Sequence, residues 1–548
     1  MMATQTRIDG PRFAQMLRGG LVNLERHKQE INELNVFPIP DGDTGENMYL
    51  TFSGGMQSCG EQDGTLSEVV GRIAEGMLLS ARGNSGVILS QIAAGIADGC
   101  REVEALETRT FLHALRRGID QAYSAVMEPT EGTMLTVYRC AVEAVESMER
   151  ESPDAVLHTM LAAARDTLAR TPEMLPVLQK AGVVDSGGAG LVYILEGMTA
   201  TGVVATDVAD ETLLSHPSPA QTTPDLDRFN EDSELTYGYC TELLLRLQNR
   251  KTDIQSFDTA CLTEPLQRIG DSMVIWCKGS LLKLHIHTKT PDRVLALCQR
   301  YGEFLQVKIE NMSLQHSSTM VQKPAEKPKE HTAFGVVAVA SGEGIRQLFR
   351  ERGADVLVNG GQSCNPSTED FIEAFDRVNA DTIFVLPNNG NILLTAKQAA
   401  SLYPKADVRV IDSRTLGEGF AALSMLSYDA GNADTIAQEL TEGMEGVVTA
   451  AVSRSVRETA GIHTGEYIGF VGKEILSADP DRRTATCGTI DKLTEAGEGV
   501  WLLLYGNGTA AEEAAQVETY IHEKYPMQEV YCMAGGQELY DYILIKLV

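Results

Sequence analysis

The chain of 548 residues is long enough for about three domains, each with its own hydrophobic core. Hydrophobic residues make up 43% of it, and no apolar run approaches the ~20 residues that a membrane span needs. The formal net charge of -30 argues against a binding surface for nucleic acid or for anionic membranes.

The cysteines and the N-terminal residues indicate the cellular compartment of the protein. The ten cysteines include no C-x-x-C pair and no short repeated spacing. The first residues lack the apolar core of a signal peptide. Together these features predict reduced thiols and a cytoplasmic protein.

The first domain is predicted to be helical. Within residues 1–205, apolar residues recur at helical spacing in residues 17–26, 67–79 and 155–168. Residues 206–231 are rich in proline, serine, threonine and aspartate, which is typical of a linker.

Two α/β domains are predicted to follow. Residues 232–315 mix strand and helix patterns, and residues 316–332 form a second linker with proline and lysine. From residue 333 to residue 548, β-type runs alternate with helical stretches, which predicts a C-terminal α/β domain.

A pair of carboxylates lies in the turn Asp41-Gly42-Asp43, directly before helix-forming sequence. Mg²⁺ prefers oxygen ligands and usually takes one or two carboxylates, with phosphate oxygens completing its shell. Gly42 and Gly45 permit the backbone angles that bring both side chains to one point. A turn of this kind is more often a solvated loop, so a metal site needs further support.

Two glycine-rich loops provide that support. Residues 82–86 (RGNSG) and residues 185–190 (DSGGAG) each open an apolar helix. The free N–H groups and the dipole of a helix N-terminus attract phosphate. Either loop alone is more often a tight turn between helices, but the two together with the carboxylate turn favour a nucleotide–Mg²⁺ site. Neither loop matches a Walker A or a dinucleotide fingerprint.

The motifs resemble a known family. The segments NVFPIPDGDTGENM, ARGNSGVILSQ and AGVVDSGGAGL closely resemble the dihydroxyacetone kinase L-subunit-like domain. GGQSCNPSTEDF, VLPNNGNILLTAKQAA, TGEYIGF and AGGQELYDYILI are similar to the C-terminal region of the ATP-binding subunit of bacterial fatty acid kinase. The resemblance implies a multidomain fold: an N-terminal all-α helical barrel or bundle, a small α/β middle domain and a C-terminal α/β domain like the acyl-binding partner's fold. It also implies a homodimer.

The resemblance assigns roles to individual residues. It implies that Asp41 and Asp43 hold Mg²⁺ against the phosphates of ATP. Asn35, a neutral oxygen donor, stands nearest to a further aspartate of dihydroxyacetone kinases. The implied contacts to nucleotide, phosphate or metal-bound water are Thr44, Asn47, Asn84, Ser85, Gly86, Thr133, Met134, Asp185, Gly187 and Gly188.

Several of these residues have an ordinary structural alternative. Met134 suits a flat adenine ring, and ordinary core packing explains it equally well. Asp185 completes the nucleotide site or caps the helix that follows it. Arg82 and Lys180 offset phosphate charge or lie on the surface.

A second metal site is predicted in the middle domain. His285 and His287 alternate on a β-type run, so both imidazoles face one side of the strand, and Cys240 lies on another β-type segment. An isolated H-x-H is more often a pair of half-buried histidines. Resemblance to the fatty acid kinase middle domain implies Zn²⁺ instead, with water, Glu242 or Cys277 as the fourth ligand.

The implied function is that of a kinase subunit. It transfers the γ-phosphate of ATP to a fatty acid presented by a separate acyl-binding protein, which the C-terminal domain docks, and gives acyl phosphate for phospholipid synthesis. A carboxylate acceptor is ionised near pH 7, so no general base is required. The alternatives are a kinase of a dihydroxyacetone-like small substrate, a non-enzymatic ATP-sensing regulatory or scaffold protein, and a zinc hydrolase built on the Cys and His ligands.

Overall fold

The structure is a computed structural model. It describes residues 7–34, 42–59, 64–126, 128–200, 239–254, 257, 259–278, 280–311, 331–361, 364–428, 431–458, 461–494 and 499–547, with some positions between 239 and 311 described by their backbone alone. The chain divides into two compact units. Residues 1–210 and 329–548 form the first unit, and residues 211–328 form the second.

The N-terminal part of the first unit is helical. Its helices are α1 (Gly10–Glu33), α2 (Thr44–Ser58), α3 (Leu66–Ser80), α4 (Gly83–Gly99), α5 (Thr108–Ser124), α6 (Met134–Glu143), α7 (Pro153–Met174), α8 (Pro176–Ala181) and α9 (Ser186–Thr199). Two short strands, β1 (Ile8–Asp9) and β2 (Ala105–Leu106), pair antiparallel beside them. The helical N-terminal part is as predicted, and its closure into a barrel stays a prediction.

Side-chain caps fix where several of these helices begin. Asp9 accepts a hydrogen bond from the backbone N–H of Arg12 at 2.9 Å at the start of α1. Thr65 and Glu68 form a reciprocal capping box at the start of α3. Such caps satisfy N–H groups that have no partner within the helix.

The helices enclose one apolar core. Leu24, Met48, Leu66 and Val137 are fully buried in it. An internal cavity of about 100 Å³ lies among apolar side chains of the same helices. Its volume is well below the roughly 300–1,000 Å³ of small-molecule pockets.

The second unit contains a four-stranded antiparallel sheet. Its described elements are β3 (Tyr239–Leu247), α10 (Ala260–Gln267), β4 (Gly270–Lys278), β5 (Leu281–Thr288), α11 (Pro291–Cys298) and β6 (Gly302–Asn311). The strand order is β4-β5-β3-β6. Leu245, Leu282 and Ile286 are fully buried in the core of this unit.

A parallel sheet opens the C-terminal part of the first unit. It is built from β7 (Thr332–Val339), α12 (Glu343–Glu351), β8 (Val356–Val358), α13 (Thr368–Val378), β9 (Ala380–Leu386), α14 (Leu393–Leu402) and β10 (Asp407–Val410). The strands lie in the order β10-β9-β7-β8, and every neighbouring pair is parallel. Strand–helix alternation gives such a sheet because the helices connect its parallel strands.

A second sheet follows in the same part of the chain. Its elements are α15 (Leu416–Ser424), α16 (Ala433–Glu442), β11 (Val448–Arg454), β12 (Tyr467–Val471), β13 (Glu474–Asp479), α17 (Arg482–Thr494), β14 (Val500–Tyr505), α18 (Ala511–Lys524), β15 (Glu529–Ala534) and β16 (Tyr542–Leu547). The order β13-β12-β11-β16-β14-β15 is mixed, with β14 and β15 parallel and the other pairs antiparallel. The predicted C-terminal α/β region therefore contains two separate sheets.

Two findings bear on the composition-based expectations. Within the described ranges, no helix is both long enough and apolar enough to cross a membrane. The cysteines whose side chains the structure describes form no disulfide with one another.

Two helical glycines provide a test of the core packing. A Cβ added at Gly197 in α9 would lie 2.2 Å from the carbonyl oxygen of Gly19 in α1, whereas one added at Gly71 in α3 would have no heavy atom within 4 Å. We expect Gly197→Ala to destabilise the fold by about 1–3 kcal/mol through overpacking. Gly71→Ala is the matched control and should stabilise it by roughly 0.5–1 kcal/mol. Thermal unfolding of both variants measures the effect, and shifts of the same sign would contradict the packing of α1 on α9.

Candidate functional site

The carboxylate turn directly precedes α2. Asp43 is the N-cap residue of that helix, and its side chain makes no capping hydrogen bond. Instead, Asp43 Oδ2 accepts a hydrogen bond from the side-chain amide of Asn365 at 2.5 Å. Asp41 and Asn35 lie outside the described residues.

The loop before α4 lies against the first turn of α2. Gly83 adopts a positive φ of 57°, and a Cβ there would lie 2.7 Å from Nδ2 of Asn47. Glycine is therefore needed both for the backbone angle and for the approach of α2. A Cβ at Gly86 would lie 2.3 Å from Oγ1 of Thr51, so helix packing alone already explains that glycine.

The loop before α9 also contacts the first turn of α2. Ser186, the first residue of α9, donates a hydrogen bond from its hydroxyl to Oγ1 of Thr44 at 3.3 Å. A Cβ at Gly188 would lie 2.9 Å from Val137, whereas a Cβ at Gly187 would meet its nearest neighbour, Met134, at 3.3 Å. Packing thus constrains Gly188 more tightly than Gly187.

Three helix N-termini meet as a result. Thr44 begins α2, Gly83 begins α4 and Ser186 begins α9. Each N-terminus carries unsatisfied N–H groups and a partial positive charge of roughly +0.5. Their junction is suited to polyanions such as phosphates. The loops before α4 and α9 and the described part of the carboxylate turn, which were predicted to form one site, lie together at this junction. Nucleotide binding there stays a prediction.

Asp185 joins two of the predicted site segments. Its carboxylate caps α9 by accepting the backbone N–H of Gly188 at 2.7 Å, and it also accepts the backbone N–H of Met134. Burial raises the pKa of Asp185 to about 6, and these two hydrogen bonds oppose the rise. The hydrogen bond to Gly188 shows that Asp185 caps α9, which is the structural alternative given for this residue.

The residues of the predicted adenine loop have structural contacts of their own. Met134 is only 3% exposed and belongs to the apolar core, which agrees with the packing alternative. Thr133 is the N-cap position of α6 and donates its hydroxyl to the carbonyl of Thr130 at 2.8 Å. Contact of either residue with a nucleotide stays a prediction.

The oxygen donors near Asp43 fit a hard divalent cation. Besides the Asp43 carboxylate, the buried amide oxygens of Asn84 and Asn365 have no hydrogen-bond partner in the described part of the chain. Carboxylate and amide oxygens are the ligand types that Mg²⁺ takes in proteins. Among side chains that the structure describes, no cluster of three or more His, Cys, Asp or Glu is placed to hold a metal ion.

Arg82 and Lys180 have different surroundings. The Arg82 guanidinium donates from Nη1 to the backbone carbonyl of Asn365 at 2.8 Å and lies 3.6 Å from Asp370. Arg82 thus contacts the C-terminal part of the chain. Lys180 lies exposed in the last turn of α8.

The C-terminal part completes the surroundings of the metal turn. A cavity of about 730 Å³ has Gly42, Asp43 and Thr44 on one wall. Its lining also includes the loops after parallel strands, at residues 341–342, 359–361 and 387–391. Further lining comes from residues 414–416, 449–451, 470, 472–473 and 536–540, in and next to the second sheet. Ligand sites in open parallel sheets commonly form outside the carboxyl ends of the strands.

The sequence analysis missed Asn365 as a site residue. Asn365 lies within the segment GGQSCNPSTEDF, which contributed only to the family resemblance. More than 300 residues separate it from Asp43, so no local spacing pattern relates the two.

The predicted zinc ligands belong to the second unit. Their side chains lie outside the described residues, but the backbone register pairs Cys240 with His287 and Glu242 with His285 on β3 and β5. The intervening positions 241, 243, 284 and 286 are buried in the core. Positions 240, 242, 285 and 287 therefore fall on the opposite face of the sheet. Cys277 instead packs against the core. The zinc ion and its fourth ligand stay predictions.

Comparisons with known proteins identify the family. The family model described as "DAK2 domain" matches residues 38–200. Two models of FakA-like fatty acid kinase chains, one for the middle domain and one for the C-terminal domain, match residues 236–319 and 335–546. Protein YloV of Bacillus subtilis (strain 168) is 37% identical, with 98% of this chain and 99% of that protein covered. This chain belongs to the FakA-like fatty acid kinase family.

Membership confirms the family that the sequence motifs predicted. An uncharacterized protein of Staphylococcus saprophyticus is 32% identical, with 98% of this chain and 99% of its own length covered. The matched domains indicate a kinase-type phosphotransferase of a fatty acid kinase system.

Solved structures resemble parts of this FakA-like chain. DegV, a fatty acid binding protein from Bacillus subtilis, is 14% identical, covers 39% of this chain and 99% of its own, and has a TM-score of 0.32. The dihydroxyacetone kinase of C. freundii is 16% identical over 37% of each chain, with a TM-score of 0.29. At such TM-scores these likenesses carry no argument about activity or partners.

The shifted pKa of Asp185 gives a pH-dependent test. Because burial raises that pKa to about 6, the native chain holds a proton between about pH 4 and pH 6 that the unfolded chain has released. Wild-type stability should therefore fall as pH rises through this window, by up to about 3 kcal/mol, relative to Asp185→Asn, which has no proton to lose. Denaturant unfolding of both proteins without nucleotide at pH 4 and pH 7 measures the difference. A stability gap independent of pH would contradict the burial of this carboxylate.

Proposed function

We propose that this chain is the kinase subunit that transfers the γ-phosphate of ATP to the carboxylate of a fatty acid, which a separate acyl-binding protein presents. The observation that carries the proposal is the junction of three helix N-termini beside Asp43. This arrangement supports a polyphosphate held by backbone N–H groups next to a carboxylate that takes Mg²⁺.

The residues of the junction have distinct roles in the proposal. Asp43, together with Asp41, holds Mg²⁺, which supplies charge compensation for the phosphates. Thr44 and Ser186 already contact each other and line the phosphate position with their hydroxyls. The free N–H groups of the first turns of α2, α4 and α9 bind phosphate oxygens. Asn84, Ser85 and Gly187 lie in those turns.

The acceptor needs little activation. A fatty-acid carboxylate is ionised near pH 7, so an oxygen of that group attacks the γ-phosphorus without transferring a proton. The bond from the γ-phosphorus to the β,γ-bridging oxygen breaks, and the products are acyl phosphate and ADP. The role of the chain is to align the two reactants and to exclude water, since positioning supplies a large part of the rate in phosphoryl transfer.

The helical part supports delivery of the acyl chain by a partner. Its internal apolar cavity of about 100 Å³ is too small for a ligand of ordinary size, which occupies roughly 300 Å³ or more. The core of the helical part therefore has no room for the acyl chain, and in the proposal the partner holds that chain while its carboxylate reaches the γ-phosphate. In the proposal, the C-terminal α/β region docks the protein that holds it, and the chain acts as a homodimer.

We also propose a zinc ion on the second unit, held by Cys240, His285 and His287. The backbone register makes Cys240 and His287 direct cross-strand neighbours, with His285 two positions along the same strand. Directly opposite residues of an antiparallel pair have Cβ atoms about 4.5–5.5 Å apart. That spacing suits ligands of one tetrahedral ion, and in the proposal Glu242, at a position on the same face, is the fourth ligand.

The function is tested by acyl phosphate formation. Full-length protein, ATP, Mg²⁺ and oleate are incubated with and without the acyl-binding protein that copurifies from the native cell, and acyl phosphate is trapped with hydroxylamine. We expect product only with the partner, and a loss of about 100-fold or more in Asp43→Ala because charge compensation is removed. Glu46→Ala is the control: it removes a carboxylate from the first turn of the same helix, where Glu46 pairs with Lys28 at 3.0 Å.

Other outcomes would select another function. A full rate in Asp43→Ala would refute the metal assignment. Partner-free phosphorylation of dihydroxyacetone would identify a small-substrate kinase, and ATP binding without turnover under every condition would favour a regulatory protein. Hydrolytic activity that survives without ATP would favour a zinc hydrolase.

The zinc proposal has its own test. Untagged wild-type protein should contain about one zinc per chain by elemental mass spectrometry. The double variant His285→Ala/His287→Ala should lose that zinc and unfold at a lower temperature if the ion is structural, because binding energy then contributes to folding. The control His331→Ala/His463→Ala removes two exposed histidines of the first unit and should keep its zinc. Unchanged zinc in the first double variant refutes the ligand set.

A further inference from the structure

Asn365 brings the C-terminal part of the chain into the candidate metal site. It lies just before α13 and is only 3% exposed. Its side-chain Nδ2 donates to Asp43 Oδ2 at 2.5 Å, and its backbone carbonyl accepts Arg82 Nη1 at 2.8 Å. A Cβ at Gly83 would lie 3.1 Å from Asn365 Nδ2, so this side chain also reaches the loop before α4.

A second set of contacts fixes Asn365 independently of Asp43. The backbone N–H of Thr368 donates to the carbonyl of Ala81 at 3.2 Å. Gln398 on α14 donates to the carbonyl of Leu78 at 2.8 Å and accepts a hydrogen bond from Gln91 Nε2 at 2.8 Å. Thr368 and Gln398 are both buried, and buried polar groups lose free energy unless they are paired. These pairs therefore set where Asn365 stands relative to α3 and α4.

The hydrogen bond to Asp43 is compatible with a metal ion on the same carboxylate. A carboxylate has two oxygens and about four acceptor positions, and Asn365 occupies one of them on Oδ2. Groups that hydrogen-bond to a ligating carboxylate fix its orientation, and their loss typically lowers metal affinity by about 10–100-fold. Asn365 is placed to act in this way.

We propose that Asn365 is a positioning residue that couples docking of residues 364–402 onto α3 and α4 to Mg²⁺–nucleotide binding at Asp43. The proposal rests on the proposed role of Asp43 as a Mg²⁺ ligand. Coupling between two binding events is reciprocal, so Mg²⁺–nucleotide must strengthen the docking by the same factor by which docking strengthens metal binding. The affinity of the kinase site for Mg²⁺–nucleotide then depends on whether residues 364–402 are docked.

The test measures binding rather than catalysis. Calorimetry of the full-length chain with a non-hydrolysable ATP analogue and Mg²⁺ gives the affinity, and hydrogen exchange of the Thr368 amide reports docking. Asn365→Ala should bind about 10–100-fold more weakly. Gln398→Ala leaves both Asn365 and Asp43 in place and should also weaken binding, because it loosens the docked segment. Asn507→Ala, an exposed asparagine of the same part of the chain, is the control and should bind like wild type.

The effect of nucleotide on docking distinguishes a positioning residue from a residue that only stabilises the fold. In wild type, Mg²⁺ and the analogue together should increase protection of the Thr368 amide, and in Asn365→Ala this increase should disappear. Equal affinity in wild type and Asn365→Ala, or tighter binding in the variant, overturns the proposal. If wild type itself shows no Mg²⁺-dependent nucleotide binding, the proposed function fails instead. If Asn365→Ala melts well below wild type, Gln398→Ala decides: unchanged affinity in it overturns the coupling.

Discussion

The close packing of helices at their N-termini is the constraint on which the candidate site depends. A Cβ at Gly45 would lie 2.2 Å from the carbonyl oxygen of Lys28, and one at Gly190 would lie 2.6 Å from Sδ of Met48. Glycine at position 45 lets α2 approach the backbone of α1, and glycine at position 190 makes room on α9 for the Met48 side chain of α2. Together with the approach of α4 to α2 at Gly83 and Gly86, this packing places the N-termini of α2, α4 and α9 side by side, an arrangement suited to a polyanion. The packing and the proposed phosphate binding therefore involve the same small residues.

Because a glycine can serve either helix packing or phosphate binding, the sequence predicted the candidate site but left the role of each glycine open. Helical periodicity predicted the N-terminal helices because their apolar faces pack into one core. The glycine-rich loops were predicted to bind phosphate, but Gly86 and Gly188 are also required by the neighbouring Thr51 and Val137. A sequence shows that a position needs glycine, whereas only the structure shows what approaches it. Met134 is a similar case, since its core burial accounts for the residue.

Local sequence patterns could not predict contacts between distant parts of the chain. Asn365 meets Asp43 through the packing of a parallel-sheet region on α3 and α4, and no periodicity relates positions so far apart. The alternation of His285 and His287 predicted that they share a face, but the strand pairing was needed to place Glu242 beside His285 and Cys277 toward the core. The division of the C-terminal region into a parallel and a mixed sheet likewise depends on strand pairings that the sequence does not display.

Several contacts between the two parts of the first unit are hydrogen bonds, and this matters for the proposed coupling. The pairs made by Gln398, Thr368 and Asn365 are hydrogen bonds whose groups are satisfied by water when the parts separate. Their net contribution is about 0.5–1.5 kcal/mol for each neutral pair and about 1.5–3 kcal/mol for the bond to the Asp43 carboxylate. An apolar contact of equal size would favour one arrangement more strongly, because separation would expose apolar surface to water. A contact held by such pairs can respond to a charge change at Asp43, since one of its hydrogen bonds ends on that carboxylate. In the proposed coupling, these hydrogen bonds are what would let the proposed metal site and the C-terminal part influence each other.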